Sequence, residues 1–159
     1  MDIRISIELG EFKDRACGII IVDNKILTVK MNNNNFYCLP GGHIELGEDS
    51  MTGVKREILE EVNFDVEIEK LISIVENFYE KDNKKFHELG FYYILKPKDI
   101  AKVNLNDYVR FENDKGFKVR LEFKWVNLNE INNINFKPQF LKEKLSKQDF
   151  TFFHHINRD

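Results

Sequence analysis

The sequence predicts an α/β domain in which one amphipathic helix interrupts a series of strands, and three features carry that expectation. Residues 16–22 (ACGIIIV) form a continuous apolar run, as in strands covered on both faces. Residues 117–125 alternate strictly, with Phe117, Val119, Leu121, Phe123 and Trp125 on one side and Lys118, Arg120, Glu122 and Lys124 on the other. Residues 50–62 instead repeat at the helical period, which places Met51, Val54, Ile58 and Val62 in one stripe.

At the start of the chain, Ile3, Ile5, Ile7 and Leu9 alternate with polar neighbours, so an edge strand or short cover with one buried face is expected. A break at Gly10 and Glu11 precedes the apolar strand. Asp23-Asn24-Lys25 then supplies turn chemistry, and Ile26 to Met31 returns as its hairpin partner. Asn32 to Asn35 reads as a loop. Strand character resumes from Phe36 to Leu39 and is halted by Pro40-Gly41-Gly42. Asp49 is the natural N-cap of the helix, and Asn63, tolerant of the left-handed conformation, is suited to ending it. Gly53 inside it should weaken the helix by about 1 kcal/mol unless compensated. Residues 66–79 form a strand, the EKDNKK stretch a hairpin loop, and HELGFYYILK the return. Residues 97–116 read as a long polar connection, which in a compact domain is often functional. A last helix is expected around Pro138 to Ser146, followed by a tail over 150–159.

With 159 residues and no evident linker or repeat, residues 1–159 read as a single domain with a substantial core. A net charge of −3 and a pI near 5.9 exclude a main role in coating nucleic acid, although not a local basic patch. Cys17 and Cys38 offer neither a disulfide framework nor metal-ligand spacing. The first residues, MDIRISIELGEFKD, lack a basic stretch followed by an apolar core, and no run reaches membrane-spanning length. A cytoplasmic setting without membrane partners is the expectation.

The helix carries its anions in an unfavourable place. Glu57, Glu60 and Glu61 stand at i, i+3 and i+4, where like charges repel. They also lie toward the helix C-terminus, which is already partially negative. Such a cluster calls for a cation, and Mg2+ is the economical choice because it takes carboxylate oxygens while keeping waters and phosphates as its other ligands. Glu61 lies nearest the apolar stripe and should be partly buried.

Strand, glycine turn, loop with Glu48 and acidic helix together resemble the Nudix box. Gly42, Glu48, Arg56, Glu57, Ile58, Glu60 and Glu61 fall in its register, while Asn63 stands where the family has Gly and Phe64 where it has an aliphatic residue. The Leu39-Pro40-Gly41-Gly42 approach and the later Trp125-Val126 pair also look like the family. The resemblance implies a Nudix-like α/β/α sandwich with a mixed central β-sheet, the box forming strand, loop, helix and loop. It implies a pyrophosphohydrolase, in which water attacks a phosphorus of a nucleoside diphosphate linked to another moiety. Glu57, Glu60 and Glu61 would be ligands of Mg2+, with Mn2+ as a substitute and the Gly41 carbonyl as a weaker ligand. Arg56 would orient the cluster as a catalytic residue, and Gly42 and Glu48 would support the box.

The general base varies in the family, and three residues compete here. Glu57 is one. Some members place a Glu immediately before a Trp such as Trp125, but Lys124 stands there, which leaves Glu122 two residues earlier as a catalytic candidate; Glu88, in the loop before GFYYIL, is the third. Lys118, Arg120 and Lys124 form either an exposed strand face or a phosphate-contacting one. Phe36, Tyr37, Phe78 and Tyr79 either stack on a base or pack at the core rim. Lys118, Arg120, Phe36 and Tyr79 are retained as candidate substrate contacts. Adjacent His154 and His155 are poorly arranged for chelation.

Substrate-marking signatures of the family are missing. A proline about fifteen residues past the box accompanies ADP-ribose hydrolysis, and Tyr79 stands there instead; the SQPW-type and coenzyme A patterns are absent too. A small nucleotide remains the expected partner, nucleic acid is not expected apart from RNA 5′ ends, and a homodimer is compatible with the resemblance. The alternatives are a catalytically silent nucleotide-sensing Nudix module, which would be expected to have lost ligand carboxylates, and an RNA 5′-end pyrophosphatase, which would use the basic face of residues 118–124.

Overall fold

The structure, a computed structural model, describes residues 1–32, 34–114 and 116–158, with the backbone alone for Asp114. Its strands are β1 (Arg4–Ile7), β2 (Gly10–Val22), β3 (Lys25–Met31), β4 (Gly41–His43), β5 (Val66–Lys81), β6 (Lys84–Pro97), β7 (Tyr108–Asp114), β8 (Phe117–Asn127) and β9 (Phe153–Arg158). The helices are α1 (Ser50–Val62) and α2 (Leu141–Lys147). The sheet runs β7-β8-β3-β2-β6-β5-β9, and β1 and β4 also pair with β2. It is mixed, because β2–β6 and β5–β9 are parallel and the remaining pairs antiparallel.

Local chemistry sets the connections. Asp23-Asn24 and Asp82-Asn83 all adopt positive φ, which matches the twist of the hairpins they close. Asp49 caps α1 by accepting the N–H groups of Met51 and Thr52 at 3.0 and 2.9 Å. At the other end Asn63 is left-handed (φ 60) and its N–H reaches the Leu59 carbonyl.

The sheet separates two cores. On one side Val54, Ile58 and Val62 of α1 pack against Ala16, Ile20, Tyr93, Leu95 and Phe123. On the other, Leu141 and Leu145 of α2, with Leu128 and Ile131 of a short 3-10 turn, cover Cys17, Ile19, Ile26 and Tyr92. Each fully buried Ile, Leu or Phe contributes about 1.5–3 kcal/mol, so these two layers fix the sheet on which the acidic helix rests. Gly18 is the close-contact point: a Cβ there would lie 2.5 Å from the Leu95 side chain and 3.3 Å from Ile58.

Several sequence expectations are corrected. The alternating face of β1 is uncovered: Ile5, Ile7 and Leu9 are 58, 66 and 74 % exposed, because β1 pairs only with β2, beyond the reach of α1. With Phe12, Phe78 and His87 they line a groove of about 710 Å³. There is no break at Gly10, where β2 already begins. Gly41 and Gly42 do not halt a strand but form β4, while Phe36 to Leu39 makes only isolated bridges. Glu88 lies within β6 rather than in a loop. The polar connection contains β7, and the tail is β9, parallel to β5. Met51 is exposed, as the first turn of α1 precedes the point where the helix meets the core. Of the Asn32 to Asn35 loop and the 97–116 segment, Asn33 and Lys115 lie outside the described residues. Among the described residues no helix is long and apolar enough to cross a membrane.

Candidate active site

Two glycines bring the acidic end of α1 onto the sheet. Gly41 (φ 140) pairs with Cys17 so closely that a Cβ would sit 2.3 Å from the Ala16 carbonyl oxygen. Its N–H donates to Glu61 Oε2 at 3.0 Å. At Gly42 a Cβ would lie 2.3 Å from the Glu57 carboxyl carbon. Gly42 is therefore the seat of that carboxylate. Replacing it with alanine should displace Glu57 by side-chain rotation; Gly42→Ala is expected to retain a near-normal unfolding temperature while losing roughly 10-fold or more in activity, as displaced supporting contacts at metal sites do.

Arg56 ties the box together. Its Nε and Nη2 donate to the two oxygens of Glu48, both at 2.9 Å, Nη2 also to the His43 carbonyl at 3.0 Å, and Nη1 to Glu57 at 2.8 Å and Glu60 at 3.5 Å. Glu48 further accepts the Glu45 N–H at 3.0 Å. The Arg56 hydrogen bonds hold the Glu48 carboxyl below its ordinary pKa. A Cβ on Gly53 would meet Glu48 Oε2 at 3.0 Å, so the poor helix former leaves room for this bracket.

The candidate ligand carboxylates behave differently from Glu48. Burial pushes the Glu61 pKa up to about 8, against the lowering effect of the Gly41 N–H, and the charges of Glu57 and Glu112 add to the rise. Burial also raises Glu57, with the Arg56 hydrogen bond opposing it. The Glu60 side chain is exposed, and among the described residues its one hydrogen bond is the long contact to Arg56. Among the described residues no three metal-ligating side chains already converge into a finished cluster. The donor set nonetheless fits a hard cation that keeps waters and substrate oxygens, since Glu61 has a single N–H partner and is destabilised as an anion by its surroundings.

The far end of α1 holds a feature missed in the sequence. Arg110 of β7 donates from Nη1 to the Glu60 carbonyl at 2.6 Å and to the Glu61 carbonyl, so a cation meets the last carbonyls of the helix. Glu112 follows two residues later on the same strand face, and its charge reaches Glu61. The signal was inverted: Val109 and Phe111, the apolar residues of this alternation, point to solvent, while Tyr108 stacks on Phe123.

The remaining candidates lie on other elements. Glu122 accepts from Tyr37 and Arg120, both at 2.8 Å, and pairs with Lys30 at 3.5 Å; these partners hold its pKa down to about 2, which makes it a poor proton acceptor. Lys124 lies 5.9 Å from the Tyr37 ring centroid, and Lys118 sits over Phe111 at 4.2 Å. Phe36 is covered by Lys137, and Tyr79 stacks on Phe86 with centroids 4.8 Å apart at the β5–β6 hairpin. Lys30, Tyr37, Arg120, Glu122 and Lys124 thus form one patch, and Lys118, Phe36 and Tyr79 make their closest described contacts elsewhere.

Comparisons agree with this architecture. The family model described as NUDIX domain matches residues 12–148. An ADP-ribose pyrophosphatase of Methanocaldococcus jannaschii is 43 % identical over 60 residues, 36 % of each chain, so the match spans about a third of that relative. An RNA pyrophosphohydrolase of Pelagibacter ubique is 27 % identical over 153 residues, 82 % of this chain and 87 % of the other. A NUDIX hydrolase structure from Nitrosomonas europaea superposes with a TM-score of 0.64 at 22 % identity, covering 92 % of this chain and 79 % of that one. With a mixed sheet flanked by helices, the glycine-seated acidic helix and a family match over most of its length, the chain belongs to the Nudix family.

Proposed function

We propose that this protein is a pyrophosphohydrolase of nucleoside diphosphates linked to a further moiety, with Mg2+ as its metal and Mn2+ as a substitute. The observation that carries the reading is the seating of Glu57 and Glu61 on Gly42 and Gly41, where burial raises both carboxyls above their ordinary pKa. Glu57, Glu60 and Glu61 would hold the metal, with the Gly41 carbonyl as a further ligand. When bound, the metal neutralises phosphate oxygens and makes water more acidic. The chain's own residues supply the rest. Arg56 keeps Glu57 and Glu60 on one side of α1, and Glu48 fixes Arg56. In the reaction a water oxygen bonds to phosphorus, the anhydride P–O bond breaks, the leaving oxygen keeps the electron pair, and a carboxylate takes the water proton. Glu57 and Glu112 are the preferred acceptors, because Arg120 and Tyr37 stabilise the Glu122 anion and so weaken its hold on a proton, while Glu88 faces Arg15 and lies on β6.

Retention of all three ligand carboxylates argues against a silent sensing module. An RNA 5′-end substrate is a second reading, favoured by the near full-length match to the Pelagibacter relative and by Lys30 and Lys124 in the patch around Tyr37. Incubation with Mg2+ and a panel of ADP-ribose, nucleotide sugars, nucleoside triphosphates and 5′-triphosphate RNA, with products identified by mass spectrometry, should show cleavage of a phosphoanhydride bond in at least one. Cleavage of none, together with no Mg2+ binding, would contradict the proposal.

A further inference from the structure

Arg15 is a cation with unused donors. Its Nε is wholly buried without a hydrogen-bond partner, and among the described residues no hydrogen bond engages its guanidinium. The nearest carboxylate, Glu88, stands 3.9 Å from Nη1, too far for a hydrogen bond, while 32 % of the Arg15 side chain is exposed. Nε is closed off from solvent and so from a ligand, whereas the Nη groups, which carry the exposure of the side chain, keep donors that none of the described residues takes.

Its position says which ligand. Arg15 lies on β2 directly across from His43 of β4 on one side and Gly90 of β6 on the other. Gly90 itself offers no side chain there, and the Tyr92 ring packs over it, 3.1 Å from where a Cβ would sit. By strand alternation Arg15 shares a sheet face with Cys17 and Lys13, beyond the area that α2 covers. Cys17 and Cys38, its neighbours, are neutral thiols whose pKa burial pushes up to about 12 and about 11. Across the thin glycine strand β4, the positive charge reaches Glu57 and Glu61. The Nη donors, within electrostatic reach of the carboxylate site and, among the described residues, with no protein oxygen in bonding range, match a phosphate.

We propose that Arg15 binds the substrate phosphate next to the one attacked, donating to its non-bridging oxygens, and that Glu88 is a positioning residue that aims the guanidinium. This rests on the pyrophosphohydrolase reading for the identity of the ligand, though not for its binding. Glu88 is thereby assigned to the arginine rather than to proton transfer.

The test is titration of methylenediphosphonate, a P–C–P probe that cannot be hydrolysed, into the Mg2+-loaded protein. Arg15→Gln should weaken its binding roughly 10- to 100-fold, the range expected for charge-assisted hydrogen bonds. Mn2+ affinity should not fall, because the charge removed repels the cation. Arg15→Lys, which keeps the charge without the fork, should fall between the two, and Glu88→Gln should lose less than Arg15→Gln. If Arg15→Gln fails to fold, as its unfolding curve would reveal, the Arg15→Lys loss decides. Unchanged probe affinity in the variants, a parallel loss of Mn2+ affinity, or no binding by the wild type overturns the proposal. Arg15-dependent binding without hydrolysis of any panel substrate would sink the activity alone. Hydrolysis with a KM unaffected by Arg15→Gln would sink the phosphate site alone.

Discussion

Glu61→Gln should abolish most turnover while leaving the fold intact and, without metal, making it more stable at alkaline pH. Loss of a metal-ligand carboxylate removes transition-state charge stabilisation of several kcal/mol, or roughly 10²- to 10⁴-fold in rate. Glutamine keeps the size of the side chain and an oxygen to accept the Gly41 N–H. The pH effect follows from the carboxyl's environment. Folding raises its pKa from 4.5 to about 8, so the folded state favours the protonated form. That contribution is complete below about pH 4.5 and is lost as pH rises through about 8. In chelator, the wild type should therefore lose stability between about pH 5 and 9 relative to Glu61→Gln, measurable by urea unfolding across that range. Parallel curves for the two proteins would contradict the burial account of Glu61.

Arg56→Ala is expected to be the most destabilising single change in the box. It would leave Glu48 and Glu57, both largely covered, without their cation, and would remove the donor to the His43 carbonyl. Stranding partners of a fully buried ion pair costs 3–5 kcal/mol, and allowing for the partial exposure of Arg56, about 2–3 kcal/mol is expected. The unfolding temperature should fall by roughly 5–10 °C, with a large loss of turnover. Arg56→Lys should recover less than half of either, because one ammonium cannot reproduce the two parallel bonds to Glu48. Differential scanning fluorimetry and steady-state rates on the two variants check both statements. A lysine variant indistinguishable from wild type would show that charge alone suffices.

How far the site could be read in advance depended on whether its determinants are local in sequence. The helix bounds, the Asp49 and Asn63 caps and the burial of Glu61 follow from short-range periodicity and capping chemistry, and all stand in the structure. The mixed sheet, too, follows once the box is recognised. What was hidden depends on pairing partners far along the chain. β7 escapes because its polar face turns inward to meet α1 and β8, reversing the usual pattern. β9 is an edge strand whose parallel partner β5 lies some 80 residues earlier. Arg15 looks like an ordinary polar residue until β4 and β6 close around it. Gly53, a cost by helix propensity alone, becomes intelligible only beside the Glu48 carboxylate.

The central claim is that the end of α1 binds a divalent cation through Glu57, Glu60 and Glu61. Mn2+ titration followed by electron paramagnetic resonance, on the wild type and on the Glu57→Gln/Glu60→Gln/Glu61→Gln variant, tests it most directly. Saturable binding by the wild type that disappears in a folded triple variant is the predicted result, and equal binding by the two proteins would contradict it.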